Sequence, residues 1–579
     1  FYLGTDSNDI AVKLPKYDKD ASVTLQYCDN PIWHCLTALP EITTPKSENV
    51  LAKASALFGN AFADGIARKY PQVRTAIQYW TEALKTGADS TLISNLQKDE
   101  HLKAVALENT VWVNDAAAET MRMQHLTSLL DANANRQAVS SLIADIKKAQ
   151  KRDGGWSWLP DFESSVYITT GVLLNLAMIS DMGYVPESES GDIAEMASKA
   201  VKYIDKESYD SYIRNKKHIY PLAALRWLYI RQDFGVKAEN KEIASYLDKS
   251  LKAVAQSWRD FGIYDKATAA ILLHRSGYAK EAGLILESLR QHAVTTPERG
   301  MYYDNLSSGW QGFPRLITTA QVLEAFAEIA PQDKSVDLLR QWLILQRQYG
   351  DWGYDTHTAE IVHAILASGS EWTADSEQAE ITIGGERYDV TPARYTGALT
   401  IQLDPQKVAG KTLRVTKHGS HPAWGGVLAQ YIAPSVEVKA ASTDQISIAK
   451  EIYALDNAEA GTRLSAGDLK TGQKVRVVLT VKNASDLQYV AITDERGACM
   501  EPADQLSSYT QTDGIWVYRE TRDSQTNLFI SFLPKGVHQI SYDCYIDRDG
   551  SYTVGIATVQ SLYAPLVTGH SAGKTVNVK

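Results

Sequence analysis

The chain has 579 residues, which is more than one hydrophobic core supports, so about two to four domains are expected. Its composition, 44% hydrophobic and 22% charged, is ordinary for a folded protein, and no apolar run is long enough to predict a transmembrane helix. The net charge of -10 and the absence of a basic patch argue against nucleic acid as the main partner.

The first residue is Phe1 and not Met, so we expect a longer parent chain in which a signal peptide or lipid anchor lies upstream. Four cysteines form two distant pairs, Cys28 with Cys35 and Cys499 with Cys544. Each pair is compatible with a disulfide bridge in an oxidising compartment or with half-buried free thiols, and we favour free thiols.

The periodicity of apolar residues changes twice along the chain. The runs 10–14 and 23–27 alternate between apolar and polar residues, which predicts strands before residue 30. From 30 to about 370 the pattern is helical, with apolar residues at the i, i+3, i+4, i+7 spacing. Two such sets are Val139, Leu142, Ile143, Ile146 and Thr319, Val322, Leu323, Phe326.

Strands are predicted again after Trp372. One alternating run places four apolar residues on a single face: Val475, Val477, Leu479 and Val481. Turn signals at 535–536 and 549–551 separate such runs, and a further domain boundary is expected near 441–443.

The helical block contains a repeat. Gln150, Gly154 and Trp156 share the spacing of Gln346, Gly350 and Trp352, and a degenerate copy occurs at 308–310. Each full copy is followed by a polar turn and a new apolar helix, predicted at 166–179 and 359–366.

The glycine of each copy is expected to adopt the left-handed conformation that ends a helix, and the tryptophan to fold back over the helix it has just left. A single helix pair cannot bury its apolar face, so copies stack and close on themselves. At ordinary helix and loop lengths, residues 30–370 allow about twelve helices, or six hairpins. This predicts an alpha/alpha toroid that serves as a packing and binding scaffold and not as a catalyst.

Two motifs resemble a catalytic or metal site, but the surrounding sequence does not support either site. The sequence from Gly569 to Gly573 matches a hydrolase nucleophile elbow around Ser571, but the acid and histidine partners have no room in the few residues that follow. His357 and His363 lie six residues apart, which turns their side chains to different faces of a helix, whereas zinc-binding histidines need a spacing of four.

His418 and His421 sit in a turn without a cysteine or carboxylate pair at ligand spacing, so we predict no metal site and no cofactor. Four carboxylates beside the repeat tryptophans are expected on one rim of the ring: Asp161, Glu163, Asp351 and Asp355. Paired carboxylates could act on a sugar, but helix capping is the commoner role, so no catalytic residue is assigned.

The order of segments, with the stretch 153–158 in the helical ring, resembles the C-terminal half of a bacterial alpha-2-macroglobulin. The stretches 421–431 and 496–502 resemble members from the Bacteroides group. The resemblance implies a multidomain α plus β protein. In it, a thioester-type toroid (30–370) is inserted into a CUB-like β domain (1–29 and 371–440), and a macroglobulin-type β-sandwich (441–579) follows.

Members of that family that bind their targets covalently carry Gly-Cys-x-Glu-Gln at the start of the ring. Here Cys35 is followed by Leu36, Thr37 and Ala38, and the nearest preceding glutamine is Gln26 on a predicted strand. The sequence therefore predicts that no thioester forms.

The resemblance implies an endopeptidase inhibitor that traps proteases by a conformational change, with its bait segment upstream of Phe1. It also implies the periplasm or outer envelope, or secretion. Two other functions stay open. One is a polysaccharide lyase or another toroid enzyme active on carbohydrates, for which thirty tyrosines and thirteen tryptophans would suit sugar stacking. The other is an adhesion or structural scaffold.

Overall fold

The computed structural model describes residues 1–4, 9–17, 20–28, 32–69, 73, 75, 78, 81–82, 132–304, 314–353, 355–369, 379–390, 398–418, 423–455, 462–463 and 469–579.

Strands from both ends of the helical block form one two-sheet unit. Three strands precede the helices: β1 Tyr2–Leu3, β2 Asp9–Lys13 and β3 Ser22–Cys28. Five follow them: β6 Glu380–Ile383, β7 Glu386–Tyr388, β8 Ala398–Leu403, β9 Thr412–Thr416 and β10 Ala423–Gln430. One sheet has the order β1-β10-β3-β8 and the other β2-β9-β6-β7.

The antiparallel register of this unit joins residues from opposite ends of the chain. Leu25 on β3 lies opposite Ile401 on one side and Val427 on the other. In β3 the alternate residues Val23, Leu25 and Tyr27 are buried, because a strand turns every second side chain to the same face.

Between these strands lies a block of helices. In the described part of the chain they are α1 Ile32–Ile42, α2 Val50–Lys69, α3 Ala132–Ala149, α4 Val166–Asp181, α5 Ser190–Arg214, α6 Pro221–Gln232, α7 Lys241–Ser257, α8 Ile263–Arg275, α9 Ala279–His292, α10 Arg315–Ile329, α11 Lys334–Tyr349 and α12 Asp355–Ala367. A short hairpin of β4 Val294–Thr296 and β5 Gly300–Tyr302 follows α9.

The even-numbered helices contact one another in a cycle. Each packs against the next, from α2 to α4, α6, α8, α10 and α12, and α12 then contacts α2. The odd-numbered helices lie outside this cycle, each against its neighbours in sequence. Helix α10 is buried on nearly all sides, as expected for the inner layer, whereas α7 buries a single stripe of four residues.

The repeat tryptophans fold back as predicted. Trp156 and Trp352 are completely buried, and each donates its indole N–H to a carbonyl of the preceding helix, Ile146 at 2.8 Å and Leu343 at 3.1 Å. A buried indole requires such a partner, so the tryptophan seals the helix end by packing and hydrogen bonding together.

The predicted role of the glycines is wrong for both copies, since neither ends a helix in the left-handed conformation. Gly154 has φ +93°, but it lies beyond the end of α3, in the loop. Gly350 caps α11 with φ 168°, which is extended backbone, and the positive φ of +93° falls on Gly353, after the tryptophan. The two loops therefore reach the same tryptophan position by different backbone paths. The degenerate copy at 308–310 lies outside the described residues.

The chain ends in a β-sandwich. A connector carries the short helix η1 Ser435–Glu437, and α13 Pro405–Val408 lies in the preceding unit. The sandwich strands are β11 Ala441–Ser442, β12 Ile446–Ala454, β13 Thr462–Arg463, β14 Lys474–Asn483, β15 Leu487–Glu495, β16 Met500–Pro502, β17 Ser508–Thr512, β18 Ile515–Thr521, β19 Gln525–Leu533, β20 Gly536–Ile546, β21 Gly550–Val554, β22 Ala557–Ser561, β23 Thr568–His570 and β24 Lys574–Val578.

These strands form a seven-stranded sheet, β11-β23-β22-β15-β19-β18-β17, and a five-stranded sheet, β13-β12-β14-β20-β16, with the pair β21-β24 beside them. The predicted alternation at 475–481 is confirmed, since all four apolar residues of that run are buried in β14. The mixed α plus β class is likewise confirmed.

The ring and the sandwich touch through the end of α11. Tyr349 belongs to the buried core of the sandwich, although it is the last residue of a ring helix. Beside it, Gly350 faces the side chain of Gln488, and Lys535 Nζ lies 2.6 Å from Asp304 Oδ2. Among the described residues, a buried aromatic side chain, a close approach and an ion pair therefore connect the two units.

No described helix combines the length and the apolar character needed to cross a membrane.

Candidate functional site

Cys35, the residue that would carry a thioester, lies in the core. It sits in the first turn of α1 and is completely buried, as are Leu36, Ala38 and Leu39. Burial raises the pKa of the Cys35 thiol well above its usual range, and the opposing charge of Arg347 is too weak to offset it. At physiological pH the group is a protonated thiol, which is a poor nucleophile.

The neighbours of Cys35 are packing groups. His34 Nε2 lies 3.7 Å from Cys28 Sγ, and the His34 ring packs 5.5 Å from the Trp424 ring. Burial, with a smaller contribution from Arg347, lowers the pKa of His34 to about 3, so the ring is neutral. Arg347 itself is held by Glu41 at 2.6 Å. This corner joins the ring to the two-sheet unit.

All four cysteines are buried and unbridged. Gln26, the glutamine nearest before Cys35 in sequence, lies on β3 opposite Gly426. It is a strand residue of the β unit, as the sequence predicted.

A cavity of about 470 Å³ opens at the end of the ring where the inner helices finish. Its wall comes from the C-terminal parts of α4, α6, α8, α10 and α12. The ionisable side chains in this wall are Asp181, Tyr229, Asp233, Arg275, Glu324, Glu328, Glu360 and His363.

His363 is the centre of the cavity's polar network. It is 8% exposed, with Nδ1 2.7 Å from Glu324 Oε1 and Nε2 3.2 Å from Asp181 Oδ2. Burial lowers the pKa of the ring, but hydrogen bonds to Asp181 and Glu324 together outweigh burial and raise it to about 9. The imidazole is therefore a fixed cation at neutral pH.

Glu360 lies one turn before His363 on α12. Burial, reinforced by the charge of Glu324, raises the pKa of Glu360 to about 8, so its carboxyl group is protonated at pH 7. On the opposite wall Arg275 holds Glu328 through two hydrogen bonds, at 2.7 and 2.8 Å, and also contacts Asp233. Burial raises the pKa of Asp233 to about 6 despite that contact.

The chemistry of the cavity is consequently that of a hydrogen-bonding surface. His363 and Glu360 are both protonated at neutral pH, so neither is available as a general base there. The cavity presents the protonated Glu360 carboxyl as a donor, beside the carboxylates of Glu324 and Glu328, which are held by His363 and Arg275. Such a lining can hold polar groups of a ligand but contains no activated nucleophile.

The carboxylates singled out in the sequence lie elsewhere. Asp161 and Glu163 are exposed in the loop before α4, and Asp351 is exposed in the loop before α12. Both loops precede inner helices, so they lie at the opposite end of the ring from the cavity. Asp351 accepts the backbone N–H of Gly353 at 3.0 Å, a turn-forming role. The side chain of Asp355 lies outside the described residues.

The other motifs have structural roles. Ser571 is buried, and its hydroxyl accepts the backbone N–H of Ala557 at 2.9 Å at the end of β23. Burial lowers the pKa of His357, which lies on α12. His421 lies outside the described residues. Within the described ranges, no group of three or more histidine, cysteine or acidic side chains is arranged to hold a metal ion.

Sequence reasoning missed the cavity because its members are far apart along the chain. His363 was dismissed as half of a failed zinc motif, whereas its partners Glu324 and Asp181 come from two other helices. The available signal was ionisable residues on inner helices: Glu324, Glu360 and His363 stand among the apolar residues of two helices that the repeat placed in the ring.

One family model matches this chain. Residues 446–565 match the bacterial alpha-2-macroglobulin MG10 domain, which covers β12 to β22 of the sandwich. No curated protein sequence matches the chain.

Solved structures of bacterial alpha-2-macroglobulins align with the whole chain at low identity. Trypsin-activated alpha-2-macroglobulin from Escherichia coli is 14% identical with a TM-score of 0.49, and the alignment covers 100% of this chain and 35% of that one. Salmonella alpha-2-macroglobulin reacted with methylamine is 16% identical with a TM-score of 0.38, covering 100% and 33%. The chain thus spans about a third of the length of these proteins. The match of residues 446–565 to the MG10 domain supports the resemblance to bacterial alpha-2-macroglobulins that the sequence suggested.

Proposed function

We propose that this chain is the toroid-bearing part of an alpha-2-macroglobulin-type endopeptidase inhibitor that traps proteases without a covalent bond. The MG10 domain at 446–565 carries the family assignment. The domain arrangement proposed with it is a CUB-like unit (1–29 and 371–440), a thioester-domain-like toroid (30–370) and a terminal macroglobulin-type sandwich (441–579).

Two features support the toroid and its insertion. The inner helices α2, α4, α6, α8, α10 and α12 contact each other in a closed cycle with the odd-numbered helices outside. The two-sheet unit pairs strands from before and after those helices, with Leu25 between Ile401 and Val427. Both features are what an inserted ring requires.

The environment of Cys35 supports the non-covalent mode. A thioester needs a thiolate and a glutamine acyl group that meet where a target nucleophile can reach them. Cys35 is fully buried, its pKa is raised by that burial, and its sequence context supplies no Glu-Gln pair. Capture would then depend on rearrangement of domains around the protease.

The ring and the sandwich are the natural rigid bodies for that rearrangement. Their contact combines the buried Tyr349 ring with a close approach of Gln488 and the Lys535–Asp304 ion pair, so it is partly polar. Interfaces of that kind within a chain are able to separate when a distant strain is released. We place the protein in the periplasm or outer envelope, with proteases as partners through upstream domains.

The test uses the complete gene product and a panel of endopeptidases. Trapping predicts that the cut inhibitor blocks digestion of large protein substrates while the enclosed protease still cleaves small peptide substrates. A Cys35→Ala variant should trap as well as the wild type, because the thiol takes no part. Undiminished digestion of large substrates after cleavage would refute trapping, and loss of trapping in Cys35→Ala alone would refute the non-covalent mode.

Methylamine provides a second check on the same point, since it opens thioesters and attaches to them. We expect no gain in mass and no newly titratable thiol after treatment of the native protein. A gain of one methylamine per chain, lost in Cys35→Ala, would show that a thioester exists.

A further inference from the structure

The sandwich buries a lysine and an aspartate at core positions. In β12 the inward-facing residues are Ile446, Ile448 and then Lys450, which is only 6% exposed. In β15 the inward position after Val490 and Ile492 is Asp494, which is 0% exposed. Both residues replace an aliphatic side chain in an alternating pattern, so the core gives up apolar contact to place them there.

The two side chains lie within ion-pair distance of each other. Lys450 Nζ lies 2.6 Å from Asp494 Oδ1, yet Oδ1 is buried and has no hydrogen-bond donor among the described residues. Lys450 Nζ instead donates to two backbone carbonyls, Glu495 O at 2.6 Å and Gly555 O at 3.0 Å.

An amide bond to the carboxyl group would require the amine form of Lys450. An amine has two N–H groups, which the two carbonyls accept, and one lone pair, which is left on the side of the carboxyl group. An ammonium group would have a third proton, and Oδ1 is the acceptor it would use. In a dry interior, transfer of one proton converts a buried ion pair into neutral amine and carboxylic acid.

A tyrosine completes the site from a third strand. Tyr542 follows Ile540 on the inward face of β20, is 5% exposed, and donates its hydroxyl to Asp494 Oδ2. That hydrogen bond withdraws electron density from the carboxyl carbon. Burial also raises the pKa of Asp494, and this outweighs the opposing effects of Lys450 and Tyr542, so the carboxyl group is inclined to keep its proton.

We propose that Lys450 and Asp494 become joined by an intramolecular amide bond. The Lys450 Nζ lone pair attacks Cγ of the protonated Asp494 carboxyl, and a bond forms between Nζ and Cγ. The bond from Cγ to Oδ1 breaks, and Oδ1 leaves as water with the carboxylic proton and one proton from Nζ. No oxidant or co-reactant is needed.

The surroundings suit the product as well as the reactants. Asp494 Oδ2 becomes the amide oxygen and keeps its hydrogen bond from Tyr542. The single remaining N–H on Nζ donates to one of the two carbonyls, of Glu495 or Gly555, that already accept from it. Oδ1, the oxygen without a donor, is the one that leaves.

The bond would connect the two sheets of the sandwich, because β12 belongs to the five-stranded sheet and β15 to the seven-stranded sheet. A covalent tie between residues 450 and 494 restricts the unfolded chain in the same way as a disulfide bridge, but it resists reducing agents.

The experiment is mass spectrometry of the purified, denatured full chain. We expect the wild type to be lighter than the mass of its sequence by one water molecule. Lys450→Met and Asp494→Ala should each show the full mass of their sequences. The matched control is Lys474→Met, since Lys474 forms an ordinary half-exposed pair with Asp543 at 3.0 Å and should leave the water loss unchanged.

Peptide mapping then locates the bond. After digestion we expect a branched peptide that contains residues 450 and 494, and a fraction of unlinked chain in Tyr542→Phe that is larger than in the wild type. A wild-type chain at the full mass of its sequence would overturn the proposal. So would a water loss that persists in Lys450→Met, because dehydration would then lie elsewhere.

Discussion

At the scale of single residues, burial decides which groups react and which hold the fold. Cys35 illustrates the first case: a thiol in the core of the ring, with a pKa raised by burial, should be inert toward reagents in water. We expect iodoacetamide at pH 8 to leave all four cysteines of the native protein unmodified, and to label four per chain after denaturation. Rapid labelling of Cys35 in the native state would contradict this assignment.

His363 links the cavity to pH. Its pKa is raised from 6.5 to about 9, so its contribution to stability is full below about pH 6.5 and is lost as the pH rises through 9. Glu360 acts in the same direction over a lower range: its pKa is raised from 4.5 to about 8, so stability falls between about pH 4.5 and 8, where the unfolded chain has lost this proton and the folded chain keeps it. We expect the free energy of unfolding to fall between pH 6.5 and 9, measured by denaturant titration.

Replacing His363 distinguishes its contribution to the pH dependence from that of Glu360. His363→Gln removes the cation between Asp181 and Glu324 and should lower the free energy of unfolding at pH 7 by about 2 kcal/mol, since the carboxylates lose their buried partner. Its pH dependence between 6.5 and 9 should be shallower than that of the wild type. An equally steep dependence in the variant would mean that other groups titrate there.

The loop of the first repeat copy contains two tryptophans, one buried and one exposed, whose substitutions can be compared. Trp156 is fully buried and donates to Ile146 O, so Trp156→Ala should lower the free energy of unfolding by about 3–5 kcal/mol. Trp158, two residues later, is 50% exposed, and Trp158→Ala should change it by less than about 0.5 kcal/mol. Similar losses in both variants would show that the loop is stabilised in another way.

At the scale of elements, the turn after α3 depends on the backbone of Gly154. A Cβ atom there would lie 2.4 Å from Lys199 O on α5, and φ is +93°. We expect Gly154→Ala to lower the melting temperature clearly by calorimetry. Gly191→Ala is the matched control, because a Cβ in the first turn of α5 meets nothing within 4 Å and should be neutral or slightly stabilising.

Periodicity was enough to predict this level of the fold. The i, i+3, i+4 pattern placed Val139, Ile143 and Ile146 correctly on the buried face of α3, and alternation identified β14. Periodicity could not predict the path of the second tryptophan loop, because Gly350 and Gly353 both permit unusual backbone, and the close approach of Gln488 to Gly350 is a tertiary contact.

The cavity could not be predicted from the sequence for a different reason. Helical spacing relates residues on one helix, whereas Asp181, Glu324 and His363 meet only when the ring closes. Each of them alone is ordinary in sequence, so no local rule could connect them. Lys450 and Asp494 are easier to recognise from the sequence, since each interrupts an alternating run of apolar residues.

At the scale of the whole molecule, the ring and the sandwich are coupled through the end of one helix. Tyr349 closes α11 and is 5% exposed within the sandwich core, so Tyr349→Ala should remove the main apolar contact between the two units. We expect the variant to melt in two separated transitions and to be cleaved near residue 350 by limited proteolysis. Tyr220→Ala, at a residue 55% exposed, is the control and should behave like the wild type.

The division of the two-sheet unit by the ring also determines the order of folding. Strand β3 can meet β8 and β10 only after the residues between 28 and 398 have been made and compacted, because an unfolded loop of that length is costly to close. The ring should therefore fold first, while β1 to β3 remain unpaired until the strands that follow the ring are available. Until the last third of the chain arrives, those segments are an aggregation hazard, and a chain that crosses a membrane from its N-terminus would need a chaperone to cover them.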